Sequence, residues 1–318
     1  HSEQFQQQSA TNHARTLRLM DRDRLPAGFP SSAEFTDPGR GASYSMREAD
    51  GRFALSVTGR PGTLARTLDL ALGSGKRGMT FLSLEGPESM IEMRLSCFPR
   101  QGKWFITPGQ GGPDAPLAGK LHEGEDARRC IGCHAVTLPE AGVAPEARFM
   151  GVGCESCHGP GKAHVAAAAG ANPKPGAIRI LREVGATQLN ELCGKCHRTA
   201  KDIDLENEVA TQQTQRFQPY GLMKSQCFIR SGDRLSCVTC HDPHRNVETR
   251  PAAYERACLS CHGSNKTSAA SQTVCPVNPR GGCVGCHMPQ RALMPGISMA
   301  DHYIRVFPSA KGIAPTAH

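Results

Sequence analysis

The feature that most constrains this chain is a pattern, C-x-x-C-H, that occurs six times. It uses twelve of the 15 cysteines in the 318 residues. Paired cysteines are typical of disulfide frameworks, zinc sites or thioether attachment to a porphyrin, and the histidine after each pair distinguishes these. A zinc ribbon needs two such pairs per metal and no adjacent histidine. The motifs are Cys130/Cys133/His134, Cys154/Cys157/His158, Cys193/Cys196/His197, Cys237/Cys240/His241, Cys258/Cys261/His262 and Cys283/Cys286/His287.

This pattern predicts six molecules of haem c. The two thiols of a motif add to the porphyrin vinyl groups, and the next histidine becomes the proximal ligand of the iron. Haem also explains the composition, because 38% hydrophobic and 5% aromatic residues are few for a core in a chain of this length. We therefore expect a multihaem cytochrome c fold, loop-rich with short α-helices around a haem cluster, plus a small N-terminal antiparallel β segment.

The motifs divide the chain, because all six lie after residue 129. Residues 1–20 are predicted to form an N-terminal helix with haem ligands, 21–120 a β-rich domain, and 121–318 a multihaem domain with a C-terminal tail. A hairpin is predicted around Asp50-Gly51. Further strands are predicted at 80–84, 91–97 and 104–107, and short helices at 163–169, 178–193 and 251–258.

The formal charge of +8 is not evidence of nucleic-acid binding. Six haems bring twelve propionate carboxylates and six ferric charges, which leaves the oxidised protein at roughly +2. The sequence also lacks a basic run with interleaved aromatic residues. We expect the basic side chains to be propionate partners.

Phrases around the motifs resemble a known superfamily. They are CESCHGPGKAH at 154–164, CVTCHDPH at 237–244, and CHMP followed by MADHYIRV at 286–306. They are similar to multihaem cytochromes that include the nitrification tetrahaem cytochrome, hydroxylamine oxidoreductase and pentahaem nitrite reductase. LGSGKRGMTFLSLEG at 72–86 and KWFITPG at 103–109 resemble the β-rich segment ahead of the haem cluster in large environmental multihaem cytochromes.

The resemblance implies respiratory electron transfer with most irons held by two histidines. It does not fix a reaction, because the superfamily includes both carriers and reductases. The nitrite reductases bind their catalytic haem through a motif that ends in Lys, and no C-x-x-C-K occurs here. Hydroxylamine oxidoreductase uses a cross-linked tyrosine, and none of the four tyrosines matches that context.

Seven histidines outside the motifs are candidates for the distal position on iron. In the related families, positions equivalent to His164 and His244 ligate haems of other motifs, and His302 lies in a similar context. His122 and His13 are further candidates, whereas His318 is expected to be disordered rather than ligating. The remaining candidate is His1.

The opening HSEQFQQQSATNHARTL resembles the stretch after the second cysteine of a motif in the related cytochromes. His1 is then predicted to be the proximal ligand of a seventh haem, with a Cys-x-x-Cys just upstream. The alternative is a processed N-terminus that begins with an ordinary histidine.

Three cysteines lie outside the motifs. Cys227 and Cys275 both precede a motif, and a disulfide between them is one expectation for an exported protein. Cys97, on a predicted strand, is expected to be a buried thiol.

The leading functional hypothesis is an electron carrier that is exported to the periplasm or the cell exterior and exchanges electrons with redox protein partners. No run of about 18 apolar residues is present. One alternative is a reductase of nitrogen or sulfur oxyanions with one open haem. Another is a subunit of a homo-oligomer, a haem filament or a membrane-bound redox complex.

Overall fold

A computed structural model gives the fold in two compact units, His1–Arg179 and Ile180–His318. The first contains the β-rich segment and two motifs, and the second contains four motifs. This division lies further along the chain than the boundary expected near residue 120. The structure describes residues 1–60, 62–169, 178–203, 214–263, 275, 277–278, 281–294 and 297–307.

Strands are concentrated in the first unit and short helices in the second. The strands are β1 Leu17–Leu19, β2 Ser32–Asp37, β3 Ala42–Ala49, β4 Arg52–Gly59, β5 Gly62–Leu68, β6 Leu70–Leu72, β7 Met79–Gly86, β8 Ser89–Phe98, β9 Lys103–Ile106, β10 Gly119–Glu123, β11 Gln290–Met294 and β12 Ile297–Ala300. The α-helices are α1 Ser2–Ser9, α2 Gly124–Gly132, α3 Cys154–His158, α4 Lys162–Ala169, α5 Ala186–His197, α6 Gln218–Lys224, α7 Gln226–Arg230, α8 Cys237–Cys240, α9 Ala252–His262 and α10 Cys283–His287.

The predicted hairpin around Asp50-Gly51 is confirmed. β3 and β4 pair antiparallel, and both turn residues have positive φ, 51° for Asp50 and 73° for Gly51. Positive φ at both positions is what a type I′ turn requires, and Asp-Gly satisfies it at low cost. β2 and β5 extend this hairpin into a four-stranded sheet in the order β2-β3-β4-β5.

A second antiparallel sheet has the order β1-β6-β7-β8-β10, with β9 also paired to β8. The strands predicted at 80–84, 91–97 and 104–107 lie in it. The helix expected over residues 1–20 ends at Ser9 instead. Leu17–Leu19 form a strand because they pair with Leu70–Leu72, a long-range contact that overrides local helix propensity.

The six-stranded sheet is packed on both faces. One face shares a core with the four-stranded sheet, including Phe53, Phe81 and Met93, each with no exposed side-chain surface. The other face packs Leu82 and Met90 against Ala127 and Ile131 of α2. α2 contains Cys130, so the first motif begins on a helix that packs against this sheet.

The second unit has much less core. Ile203, Phe217 and Tyr220 form its hydrophobic cluster in the described residues. α9 and α10, which carry the fifth and sixth motifs, have no buried residues. The helices expected at 178–193 and 251–258 appear as α5 and α9, shifted towards the motifs. None of the helices within the described ranges has the length and apolar character needed to cross a bilayer.

Candidate functional site

Each of the six motifs begins in an α-helix. α3, α5, α9 and α10 each contain a complete motif, and α8 contains the cysteine pair of the fourth motif. Residues i, i+3 and i+4 lie on one face of a helix. A helical C-x-x-C-H therefore presents two thiols and an imidazole on the same side, which is the arrangement that one haem edge and its iron need.

The first motif departs from this pattern. α2 ends at Gly132, so Cys133 is the residue that caps the helix, and His134 lies beyond it. Cys133 still has helical backbone angles, φ −76° and ψ −14°. The two thiols of this motif therefore keep the spacing of a helical turn, although the helix itself does not continue to the histidine.

The motif thiols are accessible to a porphyrin, because all twelve are half-buried or exposed. In each of the last four motifs, the second cysteine is more exposed than the first. The half-buried second cysteines are Cys133 and Cys157, and the exposed ones are Cys196, Cys240, Cys261 and Cys286. None of these twelve cysteines forms a disulfide. Their thioether bonds to haem stay predictions.

Cys97 differs from the motif thiols. Burial raises the pKa of its thiol to about 12, and the residue is only 4% exposed. Cys97 on β8 is therefore a buried thiol, as predicted, whereas the motif cysteines are half-buried or exposed.

Several imidazoles are held through Nδ1 by a backbone carbonyl. A carbonyl oxygen only accepts, so Nδ1 carries the proton and Nε2 keeps the lone pair that a metal needs. This is the usual arrangement around metal-ligating histidines. The pairs are His134 Nδ1 with Thr16 O at 3.1 Å, His158 with Arg179 O at 3.0 Å, His287 with Arg305 O at 3.1 Å, and His302 with Ala300 O at 3.0 Å.

Burial favours the neutral form of four candidate ligands. Burial lowers the pKa of His13, of His134 and of His302 below the ordinary histidine value. Burial, and then the neighbouring His302, lower the pKa of His241. Neutral imidazole is the form that binds a metal, so these side chains are ready for ligation at neutral pH.

Two pairs of imidazole rings lie close together, with similar separations and angles. The ring centres of His241 and His302 are 6.2 Å apart with 33° between the planes, and those of His1 and His164 are 5.8 Å apart with 36°. A metal–nitrogen bond of about 2 Å, plus about 1.1 Å from nitrogen to ring centre, puts two trans axial imidazoles roughly 6 Å apart. Both pairs match that spacing.

Two buried ring nitrogens have no hydrogen-bond partner among the described residues, His241 Nδ1 and His122 Nε2. His122 is only 6% exposed, and its Nδ1 lies 2.5 Å from Asp126 Oδ2. A carboxylate on one ring nitrogen orients the other towards a metal. His122 therefore fits a ligand role, and no sequence pattern predicts its partner Asp126.

His122, Asp126 and Cys130 also bring their donor atoms within 4.8 Å of one another. The thiol of this cluster is the first cysteine of a haem motif. Thioether formation at Cys130 would leave its sulfur a poor ligand for a separate ion, so the cluster does not favour an independent metal site.

Cysteines of successive motifs lie next to one another in the second unit. Cys193 and Cys237 are hydrogen-bonded, and this contact and burial raise the pKa of Cys237. Asn190 Oδ1 accepts from the Cys237 backbone N at 2.9 Å and from its sulfur at 3.2 Å. Cys258 lies in the neighbourhood of Cys283 and Cys240, and burial is the main cause that raises the pKa of its thiol to about 11.

The expected disulfide between Cys227 and Cys275 is not formed, and both residues are free thiols. Cys227 interacts with Cys261 and Cys240, whereas Cys275 interacts with Cys283. Each of the two cysteines thus lies near motif thiols. The expectation rested on export and on the position of both cysteines just before a motif, and the structure places Cys227 in α7 rather than in a loop.

The other distal candidates have different surroundings. His13 lies in a 3₁₀ turn, and its carbonyl accepts from Val152 N at 2.9 Å, just before the second motif. His244 Nδ1 lies 3.3 Å from Asp242 Oδ1. His318 lies outside the described residues. The distal roles of these histidines stay predictions.

A cationic cavity of about 260 Å³ lies beside the segment that carries His302. Lys224, Arg291 and Arg305 line it, with Asp301 as the acidic residue. Arg305 lies 3.2 Å from Asp301, and its guanidinium stacks 4.1 Å from the ring centre of Tyr303. The excess positive charge suits carboxylate or oxyanion groups, and haem propionates are such groups.

Comparison with known proteins gives one family. Residues 115–159 match the model of the family described as cytochrome c554 and c-prime. This range contains the first two motifs. The match supports a multihaem c-type cytochrome. No curated protein matches the chain.

A solved structure also matches, an undecahaem cytochrome from the S-layer of Carboxydothermus ferrireducens. The TM-score is 0.43 at 16% sequence identity, and the alignment covers 95% of this chain. The chain spans about half, 50%, of that cytochrome.

Proposed function

We propose that this protein transfers electrons through six covalently attached haems c. The observation that carries the proposal is the presentation of two thiols and an imidazole on one helical face in the motifs of α3, α5, α9 and α10. Bound haem supplies one-electron redox chemistry. The chain contributes the thioether sulfurs, the proximal histidines and the carbonyls that fix the imidazole tautomers.

His241 and His302 are proposed as the axial pair of the fourth motif's haem. Their 6.2 Å separation suits ligation from opposite sides of one iron. Two neutral imidazoles give a low-spin iron that needs little reorganisation on reduction, which suits a carrier. Ser225 supports this geometry, because its hydroxyl donates to His302 O at 3.2 Å and accepts from Ile304 N at 2.8 Å.

The order of electron flow in the second unit is proposed to follow the motifs. Thioethers at Cys193 and Cys237, which are in contact, would bring the attachment edges of the third and fourth haems together. Cys258 of the fifth motif lies in the neighbourhood of Cys283 of the sixth, so the proposed order continues to the last motif. Thioether sulfurs mark the porphyrin edge, so adjacent sulfurs imply adjacent ring edges.

The finer relationship, to the superfamily that includes hydroxylamine oxidoreductase and pentahaem nitrite reductase, is part of this proposal. So are export to the periplasm or cell exterior, where haem c is attached, and redox protein partners. Assembly into an oligomer, a filament or a membrane-bound complex would follow if a histidine of one copy ligated a haem of another.

A second candidate function is reduction of a small oxyanion. The cavity lined by Lys224, Arg291 and Arg305 favours it, because clustered cations bind anions. This function also needs an iron with an open axial position.

An electron paramagnetic resonance spectrum of the oxidised protein tests the two functions. A carrier gives low-spin signals that account for all the haem. A high-spin signal that shifts on addition of nitrite or sulfite would replace the carrier with the reductase.

A further inference from the structure

His1 and His164 form an imidazole pair that resembles the proposed pair His241/His302. The ring centres are 5.8 Å and 6.2 Å apart, and the ring planes are inclined by 36° and 33°. The two pairs lie in different units of the chain. Similar geometry in unrelated surroundings indicates a common role.

Neither histidine of the first pair belongs to a C-x-x-C-H motif within residues 1–318. Each motif supplies the proximal histidine of its own haem. An iron held between His1 and His164 would have both axial positions filled by other residues, and therefore cannot belong to any of those six haems.

The surroundings of the pair expose apolar side chains that a flat hydrophobic group would cover. Phe5, one helical turn after His1, is 63% exposed, and Val165, next to His164, is 65% exposed. α4 has the sequence KAHVAAAA and contains no buried residue. An apolar helix with no covered face is unfavourable in water, and a porphyrin above it would bury this surface.

The N-terminal segment is held firmly against the region just before the second motif. Gln8 Nε2 donates to Val152 O at 2.6 Å, and Val152 N donates to His13 O at 2.9 Å. Gly151 has a φ of 85°, and a side chain there would collide with the Ala14 carbonyl. These contacts hold α1, which follows His1, against the segment that leads into α3.

We infer that His1 and His164 are the two axial ligands of a seventh haem iron. The inference rests on the proposed function, because it assigns the six motif histidines to six other irons. The haem itself is held either by thioethers outside those motifs or without a covalent bond.

The test uses the full-length protein, produced with its haem-attachment machinery, and three variants: His1→Ala, His164→Ala and the double variant. Lys162→Ala, on the same helix, is the matched control. Pyridine haemochrome analysis counts haem per chain, carbon monoxide difference spectra count open irons, and acid–acetone extraction separates non-covalent from thioether-bound haem.

The inference predicts seven haems in the parent protein. His164→Ala should convert one low-spin haem to a form that binds carbon monoxide. His1→Ala should open or remove that same haem. The double variant should then affect one haem and not two, and Lys162→Ala should affect none.

Six haems in the parent with unchanged spin states in His164→Ala would overturn the inference and leave the six-haem proposal intact. Two affected haems in the double variant would also overturn it, because the histidines would then serve different irons. Failure of the six-haem proposal would give a different result, namely peptides with a C-x-x-C-H motif that carry no haem.

Discussion

The two units reach a compact fold in different ways. Among the described residues, the largest fully buried side chains all lie in the first unit, in or between its two sheets. The second unit, with four motifs, has the single small cluster around Phe217 in its described part, and exposes Val238 and Leu259 inside its motifs at 43% and 45%. The first unit therefore makes its own core, whereas we expect the second to depend on bound haem for one.

Removing haem should produce the largest difference in amide-exchange protection between the two units. We expect the apoprotein, produced without haem-attachment machinery, to keep slow amide exchange in β3, β4, β7 and β8. The described residues of the second unit should lose essentially all protection, because they bury too little apolar surface to offset their conformational entropy. Hydrogen exchange with mass spectrometry measures the protection of each unit. Equal protection in the two units would show that they do not differ in their need for haem.

A core truncation in the first unit should have the next largest effect. Phe81 has no exposed surface and stacks on Trp104, with ring centres 5.5 Å apart. Phe81→Ala should lower the free energy of unfolding of this unit by about 3–5 kcal/mol. Leu64→Ala, at a side chain 41% exposed, is the control and should cost at most about 0.5 kcal/mol.

The unfolding free energies can be read from amide exchange of the β-strands in the holoprotein. The spectrum of the haems in the second unit should stay unchanged in Phe81→Ala. A loss of low-spin signal from those haems would mean that the core of the first unit also stabilises the second unit.

An axial-ligand substitution should change a single haem. His302→Ala should open the fourth motif's iron to carbon monoxide, because the side chain facing His241 is removed. Tyr303→Phe, at the next residue, is the matched control and should bind no more carbon monoxide than the parent. An unchanged count of open irons in His302→Ala would show that the 6.2 Å pair does not share an iron.

The smallest effect is expected at the start of α5, which carries the third motif. Asp233 Oδ1 accepts from Thr187 N at 2.6 Å and from Thr187 Oγ1 at 2.7 Å. The hydrogen bonds from Thr187 lower the pKa of Asp233. Its carboxylate therefore stabilises the fold above the pKa of the unfolded chain, about 4, and this contribution is lost as the pH falls further.

Asp233→Ala should consequently lower the thermal midpoint slightly at pH 7 and leave it unchanged near pH 2. Thermal unfolding followed by circular dichroism at both pH values measures this. A larger effect at the acidic pH would mean that the protonated carboxyl, and not the carboxylate, stabilises the helix start.

Local patterns were enough to predict part of this molecule. The C-x-x-C-H motifs, the Asp50-Gly51 hairpin and the alternation along β8 are each written in a few adjacent residues. The strand Leu17–Leu19 could not be predicted, because it exists only through its pairing with Leu70–Leu72.

The candidate site also combines features that the sequence predicts with features that it does not. Sequence spacing identified the motif histidines, and resemblance named His1, His164 and His302 as ligand candidates. Neither could identify Thr16 as the carbonyl partner of His134, or the facing of His1 and His164, since these contacts join residues more than a hundred positions apart. Backbone partners such as Thr16 leave no side-chain signal in a sequence.

The central claim, that six motifs each attach one haem, is tested most directly by peptide mass spectrometry of the purified protein after proteolysis. We predict that every peptide with a C-x-x-C-H motif carries one haem mass, including those around Cys130 and Cys283. Recovery of any of these peptides with both thiols free to react with an alkylating reagent, in protein that contains its full haem complement, would contradict the claim.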